Sequence, residues 1–495
     1  MKTFVFGIDG ATFRLIEKWK EKLPNFNKLL RSSVVGDLKS TTPPHTALAW
    51  PSLLTGVNPG KHGIFQFWKP QIANYGQEYY QSSDIRYKTI DQLFNEQGKK
   101  AGMVNIPMTH PPESIDGFRI TWPLFNTLNY TYPKNLGKDL LFNKVGFPND
   151  LVTMYKGEDN YDEKAKKYLS NRSKSLEYLY KNYEWDLFFC VITEIDRISH
   201  NYWRYMEDKE QLESKKNAVF DVYKEVDNII GDIIKNLDSN TIFAIVSDHG
   251  FIASKSNFYI HKFLIDNNYM KIDNSHDNEG NGWYLDRVDW GSTKAYMPAP
   301  GCYGLNINLK GRQDHGIVSR NEFDQLCEEI CELLMRVKDD NNNNIFKAVL
   351  PNEVVYLGEE SNQAPDLILI PNSYELMVHH SIGTNELFGI PDQSGFHDMD
   401  GILILNGPMF KEGIITDCFA VEDFLPTILY ALNLEIPNDI DGRIIEHIFK
   451  DNFLKNSVPK YGYSSKKKNN YTLSSTYSKE DKKNIEDQLK VLGYL

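Results

Sequence analysis

Five short apolar runs stand out along the chain and predict buried strands. They cover residues 4–8, 186–192, 241–247, 366–370 and 401–406. Each run is rich in β-branched or aromatic residues and lacks polar alternation, which is typical of strands buried on both faces of a parallel sheet. Stretches with the spacing of amphipathic helices, such as 86–100 and 215–237, lie between them. This alternation predicts a doubly wound α/β fold, with a mostly parallel sheet flanked by helices.

Three segments depart from this alternation. Residues 256–350 are rich in glycine, asparagine and aromatic residues and then contain a helical stretch, so we expect an inserted cap or subdomain. The insert would divide the catalytic α/β core into residues 1–255 and 351–460. Residues 110–165, rich in Tyr, Asn and Pro, predict a long excursion over the surface. Residues 461–495 predict a polar tail that ends in a short helix.

The charge balance argues against one class of function. The chain carries 55 basic and 67 acidic side chains, a formal net charge of −12. Proteins that bind nucleic acid mainly by electrostatics show a basic face, so specific nucleic-acid binding is not expected. An anionic substrate is compatible with this charge, because bound metal ions can be the largest local charges in a site.

Cysteine usage and the apolar runs indicate the compartment. The five cysteines are odd in number and form no CxxC pair, which argues against a disulfide framework. Asp9 interrupts the first apolar run too early for a signal peptide, and no run approaches the roughly 18 residues of a membrane span. We therefore expect a soluble cytoplasmic protein with no membrane partner.

Carboxylates and histidines lie beside the predicted strands. They are Asp9 after the first run, Asp196 and His200 after the second, Asp248 and His249 after the third, and His397 before the last. Ligands of open α/β sheets bind outside the carboxyl ends of the strands, so these side chains are expected to meet. Three carboxylates and three imidazoles suit Zn²⁺ or Mn²⁺ better than Ca²⁺ or an iron–sulfur cluster. Each alone has a plainer interpretation, as a helix cap, a turn residue or a hydrogen-bonded core histidine.

Residues 41–65, TTPPHTALAWPSLLTGVNPGKHGIF, hold the candidate nucleophiles Thr41, Thr42, Thr46 and Thr55. A helix that begins in this segment would direct backbone N–H groups and its dipole at an anion. Thr55 and the glycine after it predict the end of that helix. Residue chemistry alone leaves Thr42 and Thr46 as alternatives, and either is also suited to be an ordinary N-cap residue.

These elements, in this order, resemble the alkaline phosphatase superfamily. The resemblance rests on Asp9, TALAWPSLLTGVNPGKHGIF, Asp196 with His200, SDHG, and GFHDMDGILILNGPMF. It is closest to the type I phosphodiesterase/nucleotide pyrophosphatase group in its soluble microbial form. The similarity includes LPTILYALNLEIPNDIDGR at 425–443 and so spans most of the chain. It implies an alkaline-phosphatase-like fold.

The resemblance further implies two divalent metal ions, Zn²⁺ in the first place and Mn²⁺ as the alternative. One ion is implied to be held by Asp196, His200 and His397. The other is implied to be held by Asp9, Asp248, His249 and the oxygen of the nucleophile. The family places its nucleophile ten residues before the glycine of the TG pair, which is Gly56 here, so the resemblance implies Thr46, with Thr42 as the alternative.

The activity implied by the resemblance is hydrolysis of phosphodiester or pyrophosphate bonds in a small phosphorylated substrate, nucleotide-like or related, through a covalent phosphothreonine. The ions would lower the pKa of the hydroxyl and neutralise the phosphoryl oxygens. Two alternatives stay open. Phosphomonoesterase or phosphomutase chemistry would be favoured by an added basic clamp, for which Arg197, Arg204 and Lys294 are candidates, and a metal-dependent sensor or scaffold would need no chemistry. The sequence leaves the oligomeric state open.

One position departs from the family pattern. Nucleotide pyrophosphatases usually carry an asparagine five residues after the HG histidine, and its amide donates to a phosphate oxygen, but Phe67 occupies this position here. Asn105 is a candidate substitute for that donor. Candidates to stack on a base or aromatic leaving group are Trp50, Phe67, Trp68 and Tyr296, although aromatic residues more often belong to the core.

Overall fold

The computed structural model describes residues 1–125, 127–147, 160–207, 213–273, 283–468 and 479–491. The chain forms two compact units. The first contains Met1–Asn58, Gln81–Phe251 and His397–Leu495, and the second contains Pro59–Tyr80 and Ile252–Phe396. The predicted insert, 256–350, falls inside the second unit, which also takes in segments on both sides of the insert and a separate stretch after residue 58.

The strands of the described residues are, in chain order, β1 (Thr3–Ile8), β2 (Val34–Lys39), β3 (Ala101–Ile106), β4 (Gly117–Thr121), β5 (Thr131–Tyr132), β6 (Leu187–Ile192), β7 (Ile242–Val246), β8 (Gly250–Ala253), β9 (Ser256–Tyr259), β10 (Ala295–Tyr296), β11 (Gly304–Ile307), β12 (Phe346–Pro351), β13 (Leu367–Pro371), β14 (Leu376–His379), β15 (Phe388–Gly389), β16 (Gly395–Asp398), β17 (Asp400–Asn406), β18 (Ile414–Ala420), β19 (Glu435–Ile436) and β20 (Lys460–Tyr461).

The α-helices of the described residues are α1 (Phe13–Trp19), α2 (Pro24–Ser32), α3 (Thr46–Thr55), α4 (Pro59–His62), α5 (Ile90–Glu96), α6 (Leu136–Phe142), α7 (Tyr161–Asn182), α8 (Glu194–Glu207), α9 (Glu213–Lys216), α10 (Ala218–Asn236), α11 (Ile260–Asp266), α12 (Arg320–Met335), α13 (Asn352–Val355), α14 (Phe424–Ala431), α15 (Asp451–Asn456) and α16 (Lys479–Val491). No helix in the described part of the chain has both the length and the apolarity needed to cross a bilayer.

The first unit is built on a nine-stranded sheet with the order β18-β2-β17-β7-β1-β6-β3-β4-β5. Most neighbouring pairs are parallel, and β1 lies between β6 and β7 with parallel pairing to both. The predicted α/β fold with a mostly parallel sheet is therefore confirmed. Because β1, β6 and β7 run in the same direction, their carboxyl ends lie side by side at the centre of the sheet.

Helices cover both faces of this sheet. Successive residues of a strand point to opposite faces, so Val5 joins a core cluster with Trp50 of α3 and Leu425 of α14. On the other face, the ring of Phe4 lies 5.7 Å from Tyr180 of α7, centroid to centroid. The entirely apolar interior of β1 is thus explained by burial on two sides.

Two sequence predictions about strands, and one about a surface excursion, are wrong. The run at 401–406 lies in β17, which pairs antiparallel with β2 and β7. The run at 366–370 overlaps β13, which lies outside the main sheet and pairs antiparallel with β12 in the second unit. A continuous apolar run reports burial on two faces, but neither the direction of pairing nor the sheet. Within 110–165, β4 and β5 form an edge of the main sheet, because a composition rich in Tyr, Asn and Pro does not exclude short edge strands.

The second unit contains a four-stranded sheet, β10-β11-β13-β12, and a three-stranded sheet, β14-β9-β15. Asp366, directly before β13, accepts two hydrogen bonds of 2.7 Å from Arg312, a bidentate pair that ties this strand to the turn after β11. The helix α12 begins with a capping box between Ser319 and Glu322. Of the predicted polar tail, the structure describes residues 461–468 and 479–491, and the second range contains α16.

Candidate active site

The central strands of the main sheet deliver most of the predicted ligands to one edge. Asp9 directly follows β1, and Asp248 with His249 lies just after β7. Asp196 and His200 lie one turn apart at the start of α8, which follows β6. All of these side chains are buried. The structure thus brings together residues that are far apart in the sequence, at the edge where the carboxyl ends of these strands meet.

The first cluster, called the Asp196 group, consists of Asp196, His200 and His397. His397 lies in β16, immediately before β17. The Nε2 atoms of His200 and His397 each lie 3.3 Å from Asp196 Oδ1, and they lie 3.2 Å from each other. One carboxylate oxygen and two imidazole nitrogens therefore converge on a single point.

The second cluster, called the Asp9 group, consists of Asp9, Asp248 and His249. His249 Nε2 lies 3.3 Å from Asp248 Oδ2 and 3.5 Å from Asp9 Oδ1. Thr46 Oγ1 lies 3.2 Å from the same nitrogen. The group therefore assembles two carboxylate oxygens, one imidazole nitrogen and one hydroxyl.

The spacing of these atoms matches that of ligands around a metal ion. Two atoms bonded to one Zn²⁺ at about 2.1 Å, with a tetrahedral angle between them, lie roughly 3.4 Å apart. The separations of 3.2 to 3.5 Å in both groups agree with that value. The rings of His249 and His397 stack with centroids 3.7 Å apart, so the two groups are neighbours.

Asp9 and Asp248 each place one carboxylate oxygen against an N–H donor and the other against His249. Asp9 Oδ2 accepts a hydrogen bond of 3.2 Å from Trp50 Nε1, and Asp248 Oδ1 accepts one of 3.4 Å from the backbone N–H of Gly10. Asp9 Oδ1 and Asp248 Oδ2, which face His249, are buried and have no hydrogen-bond partner among the described residues. A buried carboxylate oxygen without a partner is costly, and a cation would satisfy both.

Asp196 follows the same rule. Its Oδ2 accepts a hydrogen bond of 2.9 Å from Arg197 Nη1, whereas Oδ1, which faces the two histidines, has no hydrogen-bond partner in the described part of the chain. Gly10 has a φ of +69°, and a Cβ there would lie 3.1 Å from Asp196 Cβ, so glycine permits both the turn after β1 and the close approach of α8.

Hydrogen bonds to the backbone fix the tautomers of two histidines. His397 Nδ1 donates to Pro44 O at 3.1 Å, and His249 Nδ1 donates to Gly250 O at 3.0 Å. A carbonyl oxygen can only accept, so each Nδ1 carries the hydrogen. In the neutral ring the lone pair then lies on Nε2, the nitrogen that faces the carboxylates. This is the usual arrangement of metal-binding histidines.

The electrostatics of the carboxylates show a shortage of positive charge. Burial raises the pKa of Asp9 and of Asp248, and the charges of neighbouring carboxylates raise both further. Burial alone would also raise the pKa of Asp196, but His200 and Arg197 outweigh it and hold this pKa well below its ordinary value. Three buried carboxylates thus face one guanidinium. Divalent cations would supply the missing positive charge.

Burial also favours the neutral imidazole of His249, of His397 and of His45. It lowers the pKa of His249 and of His397, and it holds the pKa of His45 well below its ordinary range, with His397 acting in the same direction. A neutral imidazole is the form that binds a metal ion. The donor set therefore fits Zn²⁺ or Mn²⁺ in chemistry, spacing and protonation.

The helix α3 positions Thr46. Thr46 is its first residue and is 2% exposed, and Gly56 ends the helix in the left-handed conformation. Two of the other threonines serve the local backbone, since Thr41 Oγ1 donates to Pro43 O at 3.0 Å and Thr55 Oγ1 donates to Pro51 O at 2.6 Å. The described contacts thus bring the hydroxyl of Thr46 to the Asp9 group.

The free N–H groups expected at this helix start have internal partners. Ala47 N–H donates to His45 Nδ1 at 3.0 Å, and the N–H groups of Leu48 and Ala49 donate to His45 O at 3.0 and 2.9 Å. The sequence expectation that backbone N–H groups near Thr46 hold phosphate stays a prediction, and these three groups already have partners. His45, an unusual N-cap residue, takes the first of them.

The predicted substrate contacts are all buried. Trp50 is inaccessible and donates to Asp9, and Asn105 Nδ2 donates to Val191 O at 2.9 Å. In the second unit, Phe67 is inaccessible, and Tyr296 packs edge-on against Trp290 with centroids 4.9 Å apart. All four side chains are therefore packed in the interior, and the indole N–H of Trp50 also supports Asp9. A stacking or substrate-binding role for any of them stays a prediction.

Sequence reasoning missed residues that support the ligands. Ser247 Oγ donates to His249 O at 2.6 Å and accepts from Ala11 N–H at 2.9 Å, which joins the turns after β7 and β1. The sequence suggests a stacking role for Trp50, whereas in the structure its indole N–H donates to Asp9. Ser247 belongs to the SDHG sequence that marks the turn after β7. A serine in a turn can bond to many backbone groups, so this sequence does not predict that Ser247 binds His249 and Ala11.

Comparisons with known proteins agree with this architecture. A family model described as Type I phosphodiesterase / nucleotide pyrophosphatase matches residues 3–400. No curated protein matches the sequence significantly. Murine ectonucleotide pyrophosphatase/phosphodiesterase 5 is similar in structure, with a TM-score of 0.53 at 14% identity over 91% of this chain and 100% of that chain.

Two further solved structures are similar over the same shares of each chain. An inactive threonine-to-alanine variant of the murine protein in complex with AMP has a TM-score of 0.54 at 13% identity. The human ectonucleotide pyrophosphatase/phosphodiesterase 5 has a TM-score of 0.55 at 12% identity. At these identities the likeness shows a shared fold.

Proposed function

Since the chain belongs to the type I phosphodiesterase/nucleotide pyrophosphatase family, and is therefore a hydrolase of a metal-dependent family, we propose that it cleaves the phosphodiester or pyrophosphate bond of a nucleotide or related small phosphoester through a covalent intermediate on Thr46. The observation that carries the proposal is the position of Thr46 Oγ1, 3.2 Å from His249 Nε2 within the Asp9 group and beside the Asp196 group.

Two divalent ions fit the site, with Zn²⁺ as the first choice and Mn²⁺ as the alternative. Asp196, His200 and His397 would hold one ion. Asp9, Asp248, His249 and Thr46 Oγ1 would hold the other. When bound, the ions supply positive charge that favours the deprotonated hydroxyl and neutralises phosphoryl oxygens. The support is the convergence of unpartnered carboxylate oxygens and Nε2 lone pairs in both groups.

The residues of the chain then perform two displacements at phosphorus. Thr46 Oγ1, having lost its proton to solvent, forms a bond to phosphorus while the bond to the leaving oxygen breaks, and the leaving group departs with the electron pair. Water then attacks the phosphothreonine, the bond to Oγ1 breaks, and a proton given up by the attacking water returns to Oγ1. Burial of Thr46 keeps bulk water away from the first step.

The similar structures support two parts of this proposal. The murine threonine-to-alanine variant is described as inactive and as a complex with AMP. A threonine essential for activity agrees with Thr46 as nucleophile, and a bound nucleotide agrees with a nucleotide-like substrate here. Phosphomonoester chemistry and a metal-dependent sensor are the competing functions. Arg197, one candidate for a dianion clamp, donates to Asp196 in this structure.

The test is turnover of bis(p-nitrophenyl) phosphate against p-nitrophenyl phosphate by protein loaded with Zn²⁺ or Mn²⁺. We expect faster diester turnover. Thr46→Ala should lower it by at least about a thousandfold, because the nucleophile is lost, while the metal content by elemental analysis stays near that of the wild type. Thr55→Ala is the matched control, since its hydroxyl donates to Pro51 O on the same helix, and it should retain most of the activity.

Each competing function has its own result. Faster monoester turnover would favour phosphomonoesterase chemistry, and no turnover at full metal occupancy would favour the sensor. Loss of turnover in Thr42→Ala but not in Thr46→Ala would reassign the nucleophile.

A further inference from the structure

We propose that His45 binds the substrate directly, by donating a hydrogen bond from Nε2–H to a phosphoryl oxygen. The proposal rests on the proposed function, because it needs a phosphoryl group at Thr46. His45 immediately precedes Thr46 and is 2% exposed, so its ring is part of the interior of the first unit.

The backbone of α3 fixes the tautomer of this ring. Ala47 N–H donates to His45 Nδ1 at 3.0 Å, so Nδ1 holds a lone pair and no hydrogen. The one hydrogen of the neutral imidazole must then lie on Nε2. This is the reverse of His249 and His397, whose Nδ1 atoms donate to carbonyl oxygens and whose Nε2 atoms hold the lone pair. Among these buried rings, His45 is therefore the one suited to donate from Nε2.

The same hydrogen bond occupies a backbone donor at the start of α3. Helix starts bind phosphate through free backbone N–H groups, but those of Ala47, Leu48 and Ala49 already donate to His45. His45 accepts the Ala47 N–H on Nδ1 and carries its own hydrogen on Nε2. The ring thus presents a donor on Nε2 in place of the backbone donor that it occupies. Hydrogen bonds in such a chain polarise each other, which strengthens the outer donor.

The ring lies on the side of the Asp196 group. Its centroid is 6.1 Å from that of His397, at an interplanar angle of 67°. Pro44 O, one residue before His45, accepts the hydrogen bond from His397 Nδ1, so the two histidines share one backbone support. Thr46 Oγ1 lies against His249 of the Asp9 group, whereas the ring of His45 lies near His397 of the Asp196 group, so these adjacent residues approach different groups.

The chemistry of the site leaves room for this donor. The side chains that converge there are carboxylates, imidazoles and the hydroxyl of Thr46, and the Arg197 Nη1 hydrogen bond goes to Asp196. The amide of Asn105 donates to Val191 O, and Phe67 has no polar side-chain atom. A fixed, buried, neutral donor stabilises developing negative charge without reorganisation, which is the property that a phosphoryl-transfer site requires.

The experiment separates the role of His45 as the N-cap of α3 from its role as a hydrogen-bond donor to phosphate. His45→Ser and His45→Asn each retain an oxygen that accepts Ala47 N–H, but neither extends a hydrogen to the position of Nε2. The matched control is His379→Ser in the second unit, where His379 Nδ1 likewise accepts a backbone N–H two residues on, from Ser381 at 3.2 Å. The measurements are the dissociation constant of inorganic phosphate by calorimetry on Zn²⁺-loaded protein, the metal content, and the melting temperature.

We expect both His45 variants to bind phosphate roughly 10- to 100-fold more weakly than the wild type, as for loss of a hydrogen bond to a charged group. Metal content and melting temperature should stay near the wild-type values, and His379→Ser should bind phosphate normally. Nitrogen-15 NMR of histidine-labelled wild-type protein should show His45 protonated on Nε2, with a shift on addition of phosphate. If His45→Ser is unstable, His45→Asn and the NMR measurement provide the answer.

Two results would overturn the proposal for His45 alone. These are unchanged phosphate affinity in the variants, and a His45 ring protonated on Nδ1. In either case turnover of bis(p-nitrophenyl) phosphate by the wild type would leave the proposed function standing. A metal-loaded wild type that neither binds phosphate nor turns over the diester would overturn both.

Discussion

Buried histidines occur in both units, and their second nitrogens distinguish them. In the second unit, His261 Nδ1 donates to His380 O at 2.7 Å, and its Nε2 accepts from Met297 N–H at 3.2 Å. Burial lowers the pKa of His261 to about 4. In the first unit, His249 and His397 also give Nδ1 to the backbone, but their Nε2 atoms face unpartnered carboxylate oxygens. A buried histidine is thus a candidate metal ligand when the backbone binds one ring nitrogen and the other faces carboxylate oxygens. It is a core residue when both ring nitrogens form hydrogen bonds with the backbone.

The largest effect that this comparison predicts is on metal binding. His397→Gln should lower the affinity of the Asp196 group for Zn²⁺ by about a thousandfold or more and abolish most diester turnover, because one of three ligands is lost. His261→Gln should instead lower stability by about 1–3 kcal/mol, with metal content unchanged, because it disturbs two backbone hydrogen bonds. Elemental analysis and chemical denaturation measure the two effects. Equal loss of metal in both variants would contradict the comparison.

A second prediction concerns metal removal and pH. Chelation should lower the melting temperature, and zinc at a thousand times its dissociation constant should restore about 4 kcal/mol of stability per independent site. At a fixed zinc concentration, the gain should grow as pH rises above the ordinary carboxylate range of about 4. The raised pKa values of Asp9 and Asp248 mean that the folded, metal-free protein holds protons that the unfolded chain has released, so its stability falls as pH rises.

Thermal unfolding with and without chelator, at several pH values, measures this gain. Protonation of the same carboxylates also opposes metal binding at low pH. A gain from metal that shrinks as pH rises would show that these carboxylates do not face the ions.

The smallest predicted effect tests the support of one ligand. Trp50→Phe preserves most of the packing of α3 but removes the hydrogen bond to Asp9 Oδ2. Loss of such a partner typically lowers metal affinity by 10- to 100-fold, so roughly tenfold weaker binding of the second ion is expected. Zinc titration of the variant and the wild type measures it. Trp185→Phe is the control, because its indole N–H donates to Tyr180 O in the core instead. An equal loss in both would assign the effect to packing.

The sequence predicted the centre of the fold better than its margins. The sequence predicted the strands β1, β6 and β7 and the polar residues that follow them. Strands buried on both faces have a distinctive apolar pattern, and ligands of α/β sheets bind at the carboxyl ends of the strands, so few alternatives remain. The sequence did not predict which sheet contains β13, since a buried strand of either unit has the same apolar pattern. The expected cytoplasmic location stays a prediction.

The support of the site was also less readable than its ligands. That Asp9 would meet Trp50, and that His45 would cap α3, depends on side-chain directions set only in the folded chain. Histidine is not a usual cap residue, so residue type gave no signal at His45. The ligand residues could be named from their order, whereas their partners needed coordinates.

The order of strands in the main sheet has a consequence for biosynthesis. Asp9, Asp248 and His249, which make up the Asp9 group, are all translated before the segment Ile252–Phe396 of the second unit. His397 follows only after the whole segment Ile252–Phe396 of the second unit has been translated. The Asp196 group is therefore the later of the two groups to have all of its side chains synthesised.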